Sequence, residues 1–475
     1  MGILKDQGVR EWQEKQMKGH GTIYNETPSE CTGNMSRIPA PFLSKELLWA
    51  GFYITLFIIR PWEQLLPVLG PLHFERFYAI ILIVLTLLSR PGKVRFATSQ
   101  TMAVIFFLLA LGLSGLFAYN SSLAWEPFYE YTTLVIFYFI LLKVIRTPSD
   151  LLFISIVYIG SMCIYLGKAQ WEFFVHGQHQ YDMGVVRLIG IESTFGGPNS
   201  LAMSIAASLP FLGFLWSKRH DLSLWSPLMK KWFKRGLVVY FVLAISSIVL
   251  TNSRSGMLSA VLYLALVALS GKNFLKKIGY IFAGIAFLSI LWLVIPTENK
   301  DRFSTIWDKE AGPESATVSA EGRIEGMKAG LTMFERFPVT GVGIGSFKQY
   351  RINHVDGSGL SAHSLIGQLL GETGLVGGIS FFFVVVITLK NARRIRRLAR
   401  MQDDKILDAL AGLASAIILS VMILLFDGLF GHNVRRFNWL WLAAFSSLAV
   451  QFAVQRGREI GQQDVYGTVV PTFKQ

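Results

Sequence analysis

Five side chains in this 475-residue chain have the type and placement to do chemistry: His363, Arg187, Arg254, Arg302 and Arg323. His363 stands in SAHSLIGQLLGETGLVGG (361–378), with Ser364 after it and Gly374 and Gly377 further on. An imidazole titrates near neutrality and can take a proton from a hydroxyl; the other reading is a hydrogen-bonded histidine at a helix start. Arg254 sits in TNSRSG (251–256), a short turn between two apolar runs. A guanidinium offers planar, two-pronged donors suited to phosphate oxygens, or it can bond the carbonyls that end a nearby helix. Arg187 opens RLIGIESTFGGPNSLA (187–202), where Gly196, Gly197 and Pro198 predict a tight turn. Asn199 or Ser200 can cap the helix after that turn. Arg187 reads either as a phosphate ligand or as an arginine snorkelling from a capped loop. Arg302 and Arg323 belong to a long charged segment in which many charges are simply solvated; Arg323 leads a helical pattern and is the stronger candidate. Glu372, an acid inside an apolar run, predicts a partner such as an arginine.

Several arginines gathered on one anion, with a histidine beside them, suit a diphosphate, because clustered positive charge lowers the cost of holding it near lipid. No Asp-rich metal site is evident, so no metal and no cofactor are expected and arginine takes the metal's part. The chemistry implied is displacement at a sugar anomeric carbon. A lipid diphosphate leaves while the histidine activates an incoming hydroxyl.

The elements that must position these residues are membrane helices. Hydrophobic residues make up 52% of the chain, charged residues 16%, and mean hydropathy is +0.45; soluble domains carry about 25% charged residues. This excludes a disordered chain, a coiled coil and a disulfide scaffold, and weighs against a soluble multidomain enzyme. The apolar residues fall in long runs, so the fold class is an all-α polytopic membrane protein. Twelve spans are predicted, at 44–60, 77–89, 101–118, 129–145, 151–167, 199–217, 236–250, 256–271, 277–296, 364–389, 407–426 and 437–455. The tenth is long and Gly-rich, which predicts a tilt, a kink or a start outside the bilayer. The net charge of +14 would suggest nucleic acid in a soluble protein; here it reflects cationic cytoplasmic loops, and no nucleic-acid partner is expected. Cys31 and Cys163 lie in unlike surroundings, so neither a structural disulfide nor a metal site follows. The first 40 residues are polar and lack the apolar stretch of a signal peptide.

Charge sets the orientation. With the N-terminus inside, the short inner loops hold 21 Lys and Arg and the short outer loops hold 7. Both termini are therefore expected in the cytoplasm, and every candidate side chain falls on the outer face. The organisation predicted is a cytoplasmic tail at 1–43, spans one to nine within 44–296, a large outer loop at 297–363, spans ten to twelve within 364–455, and a second cytoplasmic tail at 456–475. Within the loop, apolar residues at 324, 327, 331 and 334 predict an amphipathic helix over 321–335, lying on the outer surface or against the bundle and ended by Pro338. TGVGIGSF (340–347) follows as a turn-rich stretch; without a βαβ context it is no nucleotide loop. No internal repeat is visible. A long loop placed late and outside counts against a transporter of two six-span halves, as does the position of the charges at the membrane edge rather than its midplane.

These blocks resemble the O-antigen ligase superfamily, which also contains O-antigen polymerases and protein O-oligosaccharyltransferases. The likeness covers about 44–455. Its strongest block runs from Arg323 through PVTGVGIGSF to His363, Ser364, Gly374 and Gly377, spaced as in the family's histidine motif. Gly197, Pro198 and Asn199, preceded by Arg187, resemble a second block; Ser253, Arg254, Ser255 and Gly256 resemble a third. The resemblance implies a metal-independent glycosyltransferase of the GT-C kind in the bacterial inner membrane, with its active site on the periplasmic side and a large periplasmic loop between helices nine and ten. It implies a glycan donor on undecaprenyl diphosphate, Arg187 and Arg254 on the diphosphate, Arg323 and Arg302 as further carry-overs, and His363 as base. The acceptor would be lipid A–core for a ligase or another lipid-linked glycan for a polymerase. A protein hydroxyl would serve the oligosaccharyltransferase branch, which the lack of an added soluble domain disfavours. Ligase is the reading preferred, with polymerase as its alternative.

Overall fold

The computed structural model describes residues 44–89, 94–182, 185–190, 194–219, 226–270, 279 and 314–467. Among the described residues there are thirteen α-helices. They are α1 (Lys45–Ile59), α2 (Phe74–Leu88), α3 (Ser99–Leu116), α4 (Ser121–Val144), α5 (Pro148–Val175), α6 (Pro198–Lys218), α7 (Pro227–Leu250) and α8 (Arg254–Ser270). After them come α9 (Glu314–Arg336), α10 (Phe347–His354), α11 (Leu365–Met401), α12 (Lys405–Asp427) and α13 (Phe437–Gly467). Local sequence explains where they start. Thr147 and Asp150 close a reciprocal capping box at α5, and Pro148 takes its first position. Thr98, Asn120, Ser226 and Asp404 cap α3, α4, α7 and α12 through their side chains.

Eleven of the twelve predicted segments coincide with helices; the segment 277–296, residue 279 apart, lies outside the described residues. Among the described residues eight helices, α3 to α7 and α11 to α13, are long and apolar enough to cross a membrane. The chain is a membrane protein. α1, α2 and α8 are shorter, at 15, 15 and 17 residues. α11 is the central beam and packs on α3, α9, α12 and α13. α13 is largely enclosed; its Phe437 and Trp441 pack at tilted or edge-on angles against each other and against Phe57 of α1.

Several expectations need correcting. α11 runs to Met401 and α13 to Gly467, so these helices continue past the predicted spans through most of 390–406 and the first part of 456–475. An antiparallel hairpin of β1 (Gln180–Asp182) and β2 (Val185–Arg187) interrupts the otherwise helical chain. α9 exists but starts earlier than predicted, at Glu314, and α10 follows it. The docking face of α9 is not its large apolar stripe. Ile324, Met327 and Leu331 are exposed, whereas Gly326, Ala329, Gly330 and Met333 are buried. The reason is backbone proximity. A Cβ on Gly330 would stand 2.3 Å from the Gly367 carbonyl oxygen of α11, and one on Gly326 would stand 2.4 Å from that of Ala362. Small residues let two backbones touch.

The predicted kink in α11 falls at Gly374, whose φ of 59° and ψ of −157° are not helical. The turn-rich stretch fills the break. Val342 and Gly343 donate backbone N–H groups to the carbonyls of Gly371 and Glu372, and Leu375 donates to Pro338. A Cβ on Gly374 would meet the Val339 carbonyl oxygen at 2.4 Å. The glycine of the histidine motif thus serves a backbone interlock.

Candidate functional site

His363 precedes α11, and Ser364 caps that helix by accepting from the Gly367 N–H at 3.3 Å. His363 itself has a left-handed backbone, φ 46°. For a residue with a Cβ this is strain, and strain of this kind gathers at functional sites. The loop before it is pinned. Arg351 of α10 is fully buried and grips Asp356 through Nε and Nη2, at 2.6 to 3.0 Å. Its Nη1 reaches the Leu360 carbonyl at 3.3 Å. The guanidinium holds the Asp356 carboxyl below the usual carboxylate range.

Arg323 lies one turn before Gly326, the residue seated on Ala362, so α9 delivers its guanidinium beside His363. It also stands over the Phe430 ring, 6.0 Å from the centroid. Arg302 lies outside the described residues.

Across from His363 stands a residue that sequence reasoning missed. His432, in the connection between α12 and α13, places its ring 5.7 Å from that of His363 at 61°. Arg435 and Arg436 close the same connection. The connection is firmly seated. Leu365 donates its N–H to the Gly428 carbonyl at 2.6 Å. The Asn433 amide donates to Leu424, and the Trp439 indole to Asn433. The signal was present in the sequence: two cations and a histidine stand in a short connection that the span pattern assigns to the outer side, where they break the charge rule just as Arg254 does.

The other two blocks meet one another at the same end of the bundle. Arg187 is 3% exposed; its Nε donates to the Thr251 carbonyl at 2.9 Å and its Nη2 to Asn199 Oδ1 at 2.7 Å. Asn199 therefore does not cap α6. Gly197 occupies the cap position with no side-chain bond, and Pro198 is the first helical residue. Asn252, also left-handed at φ 49°, donates to the Val186 carbonyl. The half-buried Arg254 begins α8, whose first turn crosses α6 so closely that a Cβ on Gly256 would meet that of Ala202. The link from this pair of blocks to His363 runs through the α12–α13 connection. Arg436 donates to Ser204 Oγ and to the Phe195 carbonyl, each at 3.4 Å. Ser259 of α8 donates to Asp427, the last residue of α12.

Glu372, fully enclosed within α11, accepts from the Gly345 N–H at 3.2 Å and lies within electrostatic reach of Arg435. Gly377 is packed against Thr373, four residues earlier.

Positive charge dominates the setting of the two imidazoles. Loss of water contact, then Arg323, Lys348 and Arg351, hold His363 below its ordinary value of 6.5. His432 is exposed to solvent on one side and crowded by protein on the other. That crowding, together with His363, Arg436, Arg435 and Lys348, pushes it down to about 4. Burial pushes Arg436 down to about 10, against the pull of Asp427. His363 is therefore neutral at neutral pH, with a lone pair free for a proton. If it works as a base, activity has an acid limb whose midpoint lies below 6.5. R323Q removes a nearby positive charge, makes the imidazolium easier to form, and should shift that midpoint upward. A pH–rate profile of the variant checks this, and an unmoved or lowered midpoint would break the link between Arg323 and His363.

Residues 239–382 match the family model described as O-antigen ligase. The matched stretch holds Arg254, Arg302, Arg323, His363, Ser364, Gly374 and Gly377, and leaves out Arg187, Pro198, Asn199 and the α12–α13 connection. No curated protein matches the chain. With the histidine motif and the Ser-Arg-Ser-Gly turn both inside it, the matched stretch supports a likeness to the O-antigen ligase/polymerase superfamily.

Proposed function

We propose that the chain is a metal-independent membrane glycosyltransferase of the bacterial inner membrane. It moves a glycan from undecaprenyl diphosphate to a hydroxyl of lipid A–core at the periplasmic face. The observation that carries this reading is His363, held on a strained backbone beside the His432 ring and among cations contributed by separate elements. A base and an anion site side by side suit displacement of a diphosphate by a hydroxyl.

In this reading His363 takes the proton of the acceptor hydroxyl as that oxygen attacks the anomeric carbon. The bond from the anomeric carbon to the phosphate oxygen breaks, and its electron pair leaves with the diphosphate. Arg323 faces that growing charge directly, with Arg302 as a further candidate. Arg254 meets it from the start of α8. Arg187 has two donors engaged with Thr251 and Asn199, so its part combines shaping the α6–α8 turn with adding charge to it. Twelve spans with both termini in the cytoplasm would put all of these on the outer side.

The test is reconstitution of the purified protein in lipid with a lipid-diphosphate-linked glycan, with or without lipid A–core. Glycan moved onto lipid A–core is the expected result. Lengthened lipid-linked chains without added acceptor would make the protein a repeat-unit polymerase, and movement of lipid without any new bond would sink the enzyme reading.

A further inference from the structure

The connection between α12 and α13 lies outside the matched stretch and outside the three sequence blocks, yet it faces His363. The geometry points to Arg435 as a further residue that binds the donor's diphosphate. This rests on reading the site as one for a lipid diphosphate.

Arg435 is bracketed by fixed neighbours. Three residues before it, His432 faces His363 at 5.7 Å. One residue after it, Arg436 is tied to Ser204 and Phe195. The side chain itself is unspent. Its Nη1 is buried without a hydrogen-bond partner, and among the described residues the guanidinium makes no hydrogen bond and no ion pair. Arg351, by contrast, has committed its fork to Asp356. A buried cationic donor without an acceptor is costly, and an anionic oxygen removes that cost.

Glu372 does not consume this capacity. It lies near Arg435 but forms no ion pair with it, and its Oε1 already accepts from Gly345. Asp427, the other buried acid close by, is engaged by Ser259 and lies on the Arg436 side. The remaining charged groups around the imidazoles, Arg323, Lys348, Arg351 and Arg436, are positive. An incoming group that brings at least two negative oxygens would match both the charge and the planar fork.

The rival account makes Arg435 only a distant counter-charge for Glu372. Full-length protein in lipid nanodiscs, titrated with geranylgeranyl diphosphate, separates the two. R435K keeps the charge and loses the fork; it should bind about tenfold more weakly with an unchanged melting temperature. R435K binding as tightly as the wild type overturns the inference and leaves the reading of the site standing. A wild type that does not bind the probe overturns both. Inorganic diphosphate in millimolar excess should displace the probe; failure to do so assigns the affinity to the prenyl chain and overturns the headgroup contact. R435Q is the second variant: weaker binding with the fold retained supports contact, whereas a lowered melting temperature with wild-type affinity supports the counter-charge account and overturns this one.

Discussion

H363A should lower glycan transfer by about a thousandfold while the protein still melts at the wild-type temperature and still binds prenyl diphosphate. General-base catalysis is worth roughly 10²–10⁴ in rate, and the site's cations would go on stabilising the leaving group without it. The variant also relieves the left-handed backbone of residue 363 no further than any other alanine would, so stability should scarcely move. Turnover in reconstituted lipid, measured beside a melting curve, tests both halves. A loss of only a few fold would remove the base from His363. His432 would then be the group to examine, since it is the other imidazole within reach.

The second large effect is structural. G374A should cost about 3 kcal/mol or more, because it combines a backbone region closed to side chains with a collision. The new Cβ would press on the Val339 carbonyl at 2.4 Å, and Val339 belongs to the stretch that satisfies the carbonyls freed by the break in α11. Either α11 straightens and orphans those groups, or the 338–345 stretch withdraws. G160A in α5 is the control, since nothing lies within 4 Å of a Cβ there. It should be neutral or slightly stabilising. Melting of the two variants in detergent decides, and equal melting temperatures would mean that the interlock carries no weight.

Much of the frame was legible in the sequence, because a lipid-facing helix writes itself as an apolar run and each described run became a helix. For the long Gly-rich segment a kink was one of three readings, and Gly374 selects it. What stayed hidden has physical causes. The docking face of α9 is made of Gly326, Ala329 and Gly330, which carry almost no hydrophobic signal, so the periodicity of Ile324, Met327 and Leu331 drew attention to the exposed side. The β1–β2 hairpin has strands of three residues, too short to show alternation. Asn199 suited a helix cap by type, but Arg187 competes for its side chain and wins. The pairing of His363 with His432 joins residues far apart in sequence, which no local pattern records.

The starts of α6, α8, α11 and α13 all lie at the end of the bundle that holds this site. Each peptide unit carries a dipole, and a helix sums them to roughly half a positive charge at its first turn. Four such ends form a background field that no proton can titrate and no single substitution can delete. Loss of any one arginine should therefore leave graded, residual affinity for anions rather than none. The field also acts on the imidazoles, making their charged forms dearer at every pH.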